Sequence, residues 1–182
     1  MKTAVVYTSK YGFTRQYAAW IAEVLSCDLL DARGLRPAAL EPYDALLFGG
    51  GLYAGGVGGI SLLAKNFQRL KGKRLALFTC GLADPSDPEN VSHIRAGLDK
   101  ILTPPMREAV KIFHLRGGID YARLGPVHRA MMAMLRRMLL GKDPDTLRQE
   151  DRELLRTYGQ KVDFTDKASI APILEYMRQA QP

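Results

Sequence analysis

Short apolar runs alternate along the chain with segments of helical periodicity. Near-continuous apolar runs separated by helices indicate parallel strands that are buried on both faces. Five such strands fit a doubly wound α/β sheet of order 2-1-3-4-5 better than the six-stranded dinucleotide-binding order. The predicted strands are Thr3–Thr8, Cys27–Asp31, Asp44–Gly49, Arg74–Cys80 and Val110–Leu115. The predicted helices are Thr14–Ser26, Ile60–Leu70, Glu89–Leu102 (closed by Thr103-Pro104-Pro105) and Lys167–Gln179.

One long connection interrupts this alternation. About fifty residues, from Arg116 to Asp166, separate the fifth strand from the last helix, where a connection normally takes 2–6 residues. Apolar residues recur along Val127–Leu140 at spacings of three and one, which predicts an amphipathic helix. A second, highly charged helix is expected at about Pro144–Tyr158. We therefore expect a single domain over residues 1–182 with a helical insertion at about 116–166.

The net charge of the chain suggests an anionic partner. The 182 residues include 26 Lys and Arg against 19 Asp and Glu, a net charge of +7. Such a balance suits nucleic acid, an anionic membrane face or an acidic substrate. The stretch Tyr121–Lys142 contains five basic residues and no acidic one.

Cysteine and histidine usage argues against a metal site. Cys27 and Cys80 lie far apart, and the three histidines are scattered along the chain. This favours neither a disulfide framework nor a metal centre, so we expect no metal. No apolar stretch reaches the roughly 18 residues of a membrane-spanning helix, and the N-terminal run lacks a signal-peptide core, so we expect a cytoplasmic protein.

The loop after the first strand has the composition of an anion site. In this fold, ligands bind beyond the carboxyl ends of the strands, where the winding direction reverses. Hydroxyl side chains, a glycine and a helix N-terminus favour a phosphate there. The alternative is that Thr14 or a neighbouring hydroxyl only caps the helix. The residues are Thr8, Ser9, Lys10, Tyr11, Gly12, Phe13 and Thr14, with Lys10 either adding charge or pointing into solvent.

Two further loops lie at the same predicted edge. Seven of the eleven residues in Gly49–Gly59 are glycine, which would let the backbone lie against a planar ligand with Tyr53 stacked on it. The alternative is a flexible connection without function. The loop after the fourth strand either closes the crevice or forms a plain turn, and Cys80 is expected to be a small buried residue. Its residues are Cys80, Gly81, Leu82, Ala83 and Asp84.

This order of motifs resembles flavodoxin. Gly12 and Thr14 match the Gly-x-Thr that ends the flavodoxin phosphate loop, and Tyr53 matches the aromatic residue after its third strand. The resemblance covers Met1 to about Leu115 and the last helix. It implies FMN at the switch point of the sheet, as is established for this topology. The flavin-lining residues would be Gly50, Gly51, Leu52, Tyr53, Ala54 and Gly55, with Gly81, Leu82, Ala83 and Asp84 at the pyrimidine side.

The whole chain is similar to a narrower group, the bacterial flavodoxin-type menaquinone-dependent protoporphyrinogen oxidases. The stretches Gly117–Met132 and Val162–Asp166 resemble the start and end of the long insertion in those proteins. The third loop lacks the second aromatic residue of flavodoxins, which implies a flavin open to a stacked substrate. The resemblance implies dehydrogenation of protoporphyrinogen IX with a quinone as acceptor. The alternatives are a non-catalytic FMN electron carrier and a binding module without flavin.

The basic helix of the insertion has several possible roles. Its Met/Leu face could pack on the body of the domain, as most amphipathic faces do. It could instead meet lipid, a quinone or a porphyrin, with the arginines pairing with headgroups or propionates and the protein lying peripherally at the inner face of the membrane. No nucleic-acid-reading motif accompanies it, so nucleic acid is not expected. The candidate contact residues are Arg123, Arg129, Met131, Met134, Arg136 and Arg137.

Overall fold

The computed structural model describes residues 1–53 and 56–179. The strands are β1 (Thr3–Thr8), β2 (Asp28–Asp31), β3 (Ala45–Tyr53), β4 (Gly56–Val57), β5 (Arg74–Gly81), β6 (Val110–Arg116), β7 (Gly118–Asp120) and β8 (Lys161–Asp163). The helices are α1 (Phe13–Leu25), α2 (Ile60–Leu70), α3 (Pro88–Asp99), α4 (Pro104–Ala109), α5 (Pro126–Leu140), α6 (Gln149–Thr157) and α7 (Ala171–Arg178). Single 3-10 turns occur at Pro37–Leu40, Tyr121–Arg123, Pro144–Thr146 and Lys167–Ile170.

The central sheet has five parallel strands in the order β2-β1-β3-β5-β6. Because β5 and β6 are the fourth and fifth predicted strands, this is the predicted order 2-1-3-4-5, and the α/β doubly wound prediction is confirmed. Apolar residues pair across the sheet: Val5 of β1 pairs with Leu29 of β2 on one side and with Leu47 of β3 on the other. The short β4 adds an antiparallel pair to the end of β3.

Helices cover both faces of this sheet, and each face has its own core. On one face, α2 contributes Ile60, Leu63 and Phe67 to a cluster with apolar residues of the strands. On the other face, α1 and α7 pack against the sheet through residues such as Ile21 and Ile173. Alternate residues of each strand enter the two clusters, as the pleat of a buried strand requires.

The glycine-rich segment departs from the prediction, because β3 continues four residues past Gly49. Gly49, Gly50 and Gly51 pair with Phe78, Thr79 and Cys80 of β5. A Cβ atom on Gly49 would overlap the Phe78 ring. These glycines are therefore strand residues that leave room for neighbouring side chains, and the loop prediction is wrong for this stretch.

A second difference concerns the proline pair at Pro104-Pro105, which opens α4 instead of only closing a helix. Proline is well tolerated in the first turn of a helix because its missing N–H has no acceptor there. The predicted helix Glu89–Leu102 therefore ends at Asp99, and a separate helix begins at Pro104.

The chain forms two compact units, one made of Met1–Gly117 with the segment from Thr165 onward and one of Gly118–Phe164. The second unit lies within the predicted insertion and contains α5, α6 and a two-stranded antiparallel sheet of β7 and β8. Its Tyr121 and Tyr158 rings are in contact, with centroids 4.8 Å apart. No helix of the described residues is long and apolar enough to cross a membrane.

Candidate functional site

Three segments meet at the carboxyl edge of the parallel strands in the first unit. They are the loop from β1 to α1, the end of β3 with β4, and the loop after β5. All three were predicted to form the ligand crevice. The predicted residues Ala54 and Gly55 lie outside the described residues.

The loop from β1 to α1 presents a helix N-terminus without a side-chain cap. Gly12 is the N-cap residue, in the left-handed region with φ 104°, and no side chain caps the helix. The hydroxyl of Ser9 accepts a hydrogen bond from the Gly12 N–H at 3.1 Å, which stabilises the turn. The first turn of α1 contains no acidic residue. Its N–H groups have no intrahelical acceptor, so they and the helix dipole suit an anion.

The capping alternative for Thr14 is wrong. Thr14 is the second residue of the helix and only 2% exposed, so its side chain lies beneath the loop. Phe13 is half-buried beside Gly117. Thr8 sits at the end of β1 against Gly59, which has φ 76° and no room for a Cβ atom. Close packing at Thr8 and Phe13 thus holds the loop in place.

Tyr53 lies against this loop. Its hydroxyl accepts a hydrogen bond from the Lys10 backbone N–H at 3.1 Å, and its ring meets the Tyr11 ring edge-on at a centroid separation of 5.9 Å. Burial raises the pKa of the Tyr53 phenol. The exposed Lys10 places its Nζ 5.7 Å from the Tyr11 ring centroid.

The buried glycines below Tyr53 have a clear packing role. A Cβ atom on Gly51 would overlap the Tyr53 ring, and one on Gly50 would overlap Val57. Both positions therefore accommodate the protein's own side chains. Leu52 packs in the same way over Gly81 of the third segment.

The loop after β5 is lined by small residues. Cys80 is 5% exposed and lies in the core, as predicted, while Gly81, Leu82, Ala83 and Asp84 are partly exposed. No residue of Gly81–Asp84 is aromatic. This side of the crevice thus offers backbone groups and short side chains.

Arg116, which the sequence reasoning missed, holds this loop in place. Its Nε donates to the Leu82 carbonyl at 3.3 Å, and its Nη1 lies 3.1 Å from the Asp84 carboxylate. Hydrogen bonds from Ser86, with a further contribution from Arg116, lower the pKa of Asp84. The next N–H along the chain, that of Gly117, donates to the Gly81 carbonyl at 2.6 Å. A single basic residue at the end of a predicted strand was the only signal available.

His114 and Thr79 form a polar pair on the neighbouring strands β6 and β5. The Nδ1 of His114 lies 2.8 Å from the Thr79 hydroxyl. Within the described residues its Nε2 is buried without a partner. Burial, together with the Arg95 charge, lowers the pKa of His114 to about 4. The imidazole is therefore neutral near neutral pH.

In the second unit, α5 exposes most of its apolar residues. Val127, Met134 and Met138 are 70%, 62% and 57% exposed, and Leu139 is the buried residue of the helix. These three side chains therefore contribute little to the packing of the second unit. Met131 is half-buried, and Arg123, Arg129, Arg136 and Arg137 are exposed.

Two of these arginines contact the second unit itself. Arg136 lies over the Tyr158 ring, with its guanidinium carbon 5.1 Å from the centroid. Arg129 makes a long hydrogen bond of 3.4 Å to the Leu124 carbonyl. No group of three or more His, Cys, Asp or Glu within residues 1–53 and 56–179 is placed to hold a metal ion.

A family model described as a flavodoxin domain matches residues 4–146. The chain belongs to the flavodoxin family. Membership implies FMN as the cofactor. The uncapped, acid-free N-terminus of α1 fits the FMN phosphate. This flavodoxin-family chain matches no curated protein sequence.

Several solved structures are similar to this flavodoxin-family protein. One is a flavodoxin, WrbA-like protein from Agrobacterium tumefaciens, which has 23% sequence identity and a TM-score of 0.42. The match covers 62% of this chain and 82% of that one. Flavodoxin 2 from Bacillus cereus has 20% identity and a TM-score of 0.38, and the match covers 64% of this chain and 86% of that one. The Trp repressor binding protein from Bacillus subtilis has 14% identity and a TM-score of 0.45, with 64% and 83% covered.

Proposed function

We propose that this protein is an FMN-dependent oxidoreductase that dehydrogenates protoporphyrinogen IX and passes the electrons to a quinone. The observation that carries the proposal is the loop Gly81–Asp84, which is partly exposed and contains no aromatic residue. A carrier flavodoxin covers its flavin with a second aromatic ring, whereas small residues leave space for a flat substrate. The sequence similarity of Gly117–Met132 and Val162–Asp166 to the insertion of the protoporphyrinogen oxidases supports the same reaction.

The residues of the first unit would bind and orient FMN. The N–H groups at the start of α1, with the Ser9 hydroxyl and the Lys10 charge, would hold the phosphate. Tyr53 would contact the flavin ring, and the backbone of Gly81–Asp84, held by Arg116, would line its pyrimidine side. FMN supplies the two-electron chemistry when bound, so that each cycle moves an electron pair from the porphyrinogen to the quinone, which becomes a hydroquinone on taking up two protons.

The second unit carries charge of the sign that would attract an anionic substrate. Porphyrinogen carries propionates, and arginine is the side chain best suited to a carboxylate. Arg123, Arg129 and Arg137 are exposed on a stretch that contains no acidic residue. A net charge of +7 also favours an anionic substrate. Carrier flavodoxins are acidic and dock on basic faces of their partner proteins, and such faces would repel a basic chain. The protein would act in the cytoplasm, where an anionic substrate and a membrane quinone are both in reach.

The test is anaerobic mixing of the FMN-loaded protein with protoporphyrinogen IX. We expect the flavin absorbance to bleach as porphyrin fluorescence appears, and a menaquinone analogue to restore the absorbance. A flavin that dithionite bleaches but protoporphyrinogen never does would contradict the proposal and favour a non-catalytic electron carrier.

A further inference from the structure

A narrow apolar stripe runs along the exposed side of α5. Val127, Met131, Met134 and Met138 follow one another at spacings of four, three and four residues, which places them on one face of the helix. Three of the four are more than half exposed. Exposed apolar residues that form a contiguous face mark an interaction site, whereas single ones do not.

Basic side chains border this stripe. Arg137 follows Met134 by three residues, which is a neighbouring position on the helix surface, and Lys142 follows the C-cap residue Gly141 at the end of α5. Among the residues that the structure describes, no ion-pair partner is found for either. The nearest acidic residues in sequence, Asp120 and Asp143, lie outside the helix. The surface therefore combines a positive border with an apolar centre.

We infer that this face of α5 docks on an anionic lipid bilayer. A helix of this kind lies in the plane of the interface, with its apolar side chains among the acyl chains and its basic side chains at the headgroups. Met side chains suit such a surface because they are flexible and adapt to irregular neighbours. The inference rests on α5 alone and does not require the reaction proposed above.

Two other occupants fit the surface less well. Nucleic acid would pair with the arginines and Lys142 but would gain nothing from three exposed apolar side chains at the centre. A second copy of the chain would bring two positive borders together, and like charges across an interface are unfavourable. A bilayer with negative headgroups satisfies both parts of the surface.

The experiment is co-sedimentation of the full-length protein with vesicles of phosphatidylcholine, with and without phosphatidylglycerol. We expect binding only to the anionic vesicles, and weaker binding at high salt because the charge contribution is screened. Met134→Gln with Met138→Gln should lower the vesicle partition coefficient roughly tenfold. The matched control is Leu140→Gln, because Leu140 is 58% exposed on the same helix but lies about 200° around the axis from Met138.

The charge border has its own matched pair. Arg137→Glu should weaken binding to the anionic vesicles roughly tenfold, whereas the exposed Arg69→Glu on α2 should leave it nearly unchanged. Circular dichroism and FMN titration check that each variant is folded. Failure of the wild-type protein to sediment with anionic vesicles would overturn the inference, as would equal effects of the stripe variants and their controls. Loss of a dimer in the Met134→Gln/Met138→Gln variant, without vesicle binding by the wild type, would assign the face to a second copy.

Discussion

The Tyr53 hydroxyl accepts a hydrogen bond from the backbone N–H of Lys10 at 3.1 Å. The two residues lie 43 positions apart in sequence, one at the end of β3 and the other in the loop that leads into α1. The phenol is neutral, since burial raises the pKa of Tyr53 above its ordinary value. The Tyr53 oxygen therefore already accepts a hydrogen bond from one backbone N–H of the loop that we assign to the FMN phosphate. The aromatic residue and the phosphate loop are physically coupled.

This coupling predicts opposite effects for two substitutions at Tyr53. Tyr53→Phe keeps the ring but frees the Lys10 N–H, so we expect FMN to bind several-fold more tightly. Tyr53→Ala removes the ring as well, and we expect FMN to bind roughly tenfold more weakly, as loss of an aromatic contact commonly causes. Quenching of flavin fluorescence on titration measures both. Tighter binding by the Ala variant would contradict the assignment of Tyr53 to the flavin.

Arg116 is expected to matter for cofactor binding although it lies beneath the loop. Arg116→Met keeps an unbranched side chain but removes the bonds to the Leu82 carbonyl and the Asp84 carboxylate. A less ordered loop must be fixed on binding, so FMN affinity should fall roughly tenfold. Arg95→Met, at an exposed position of α3, is the matched control and should not change it. Unchanged FMN affinity in Arg116→Met would show that this loop does not line the cofactor.

Gly49 tests the packing role of the strand glycines. Gly49→Ala would drive a methyl group into the Phe78 ring, and such overpacking costs about 1–3 kcal/mol in the free energy of unfolding. Gly141→Ala is the control, because that glycine has φ −85° and its nearest neighbour would lie at 3.5 Å, an ordinary contact. We expect the control to stay within about 0.5 kcal/mol of the wild type. Urea unfolding measures both, and equal stability of the two variants would contradict the packing account.

His114 predicts a dependence of stability on pH. Its pKa is about 4 in the folded protein against 6.5 ordinarily, so the unfolded state binds more protons between these values. The contribution of His114 to stability is present above pH 6.5 and is lost as the pH falls toward 4. His114→Gln should therefore show a smaller loss of stability than the wild type between pH 7 and pH 5 in urea unfolding. Parallel losses in both proteins would contradict this assignment.

The sheet could be predicted because each parallel strand leaves a local signal. Thr3–Thr8 and Ile60–Leu70 have the same bounds in the structure as in the sequence analysis, since apolar runs and helical periods are visible without tertiary contacts. The sheet order followed from the number of strands and the winding rule. The end of β3 was missed because glycine disfavours strands locally, and only its pairing with β5 makes Gly50 and Gly51 strand residues.

Features that depend on distant residues could not be predicted in this way. The paired strands β7 and β8 are three residues each and about forty positions apart in sequence. Neither is long enough to show the alternation of apolar and polar residues that predicts a strand. Arg116 gains its role only through contacts with the loop after β5. The stripe on α5 was visible as a helical period, but its exposure was not, because periodicity is the same whether an apolar face meets protein or solvent.

The central claim is that the loop from β1 to α1 holds the FMN phosphate, and a comparison of FMN with riboflavin tests it most directly. The two ligands share the flavin ring and differ in the phosphate alone. Several charge-assisted hydrogen bonds at the start of α1 predict that FMN binds to the purified protein at least a hundredfold more tightly than riboflavin in parallel fluorescence titrations. Equal affinities for FMN and riboflavin would contradict the account.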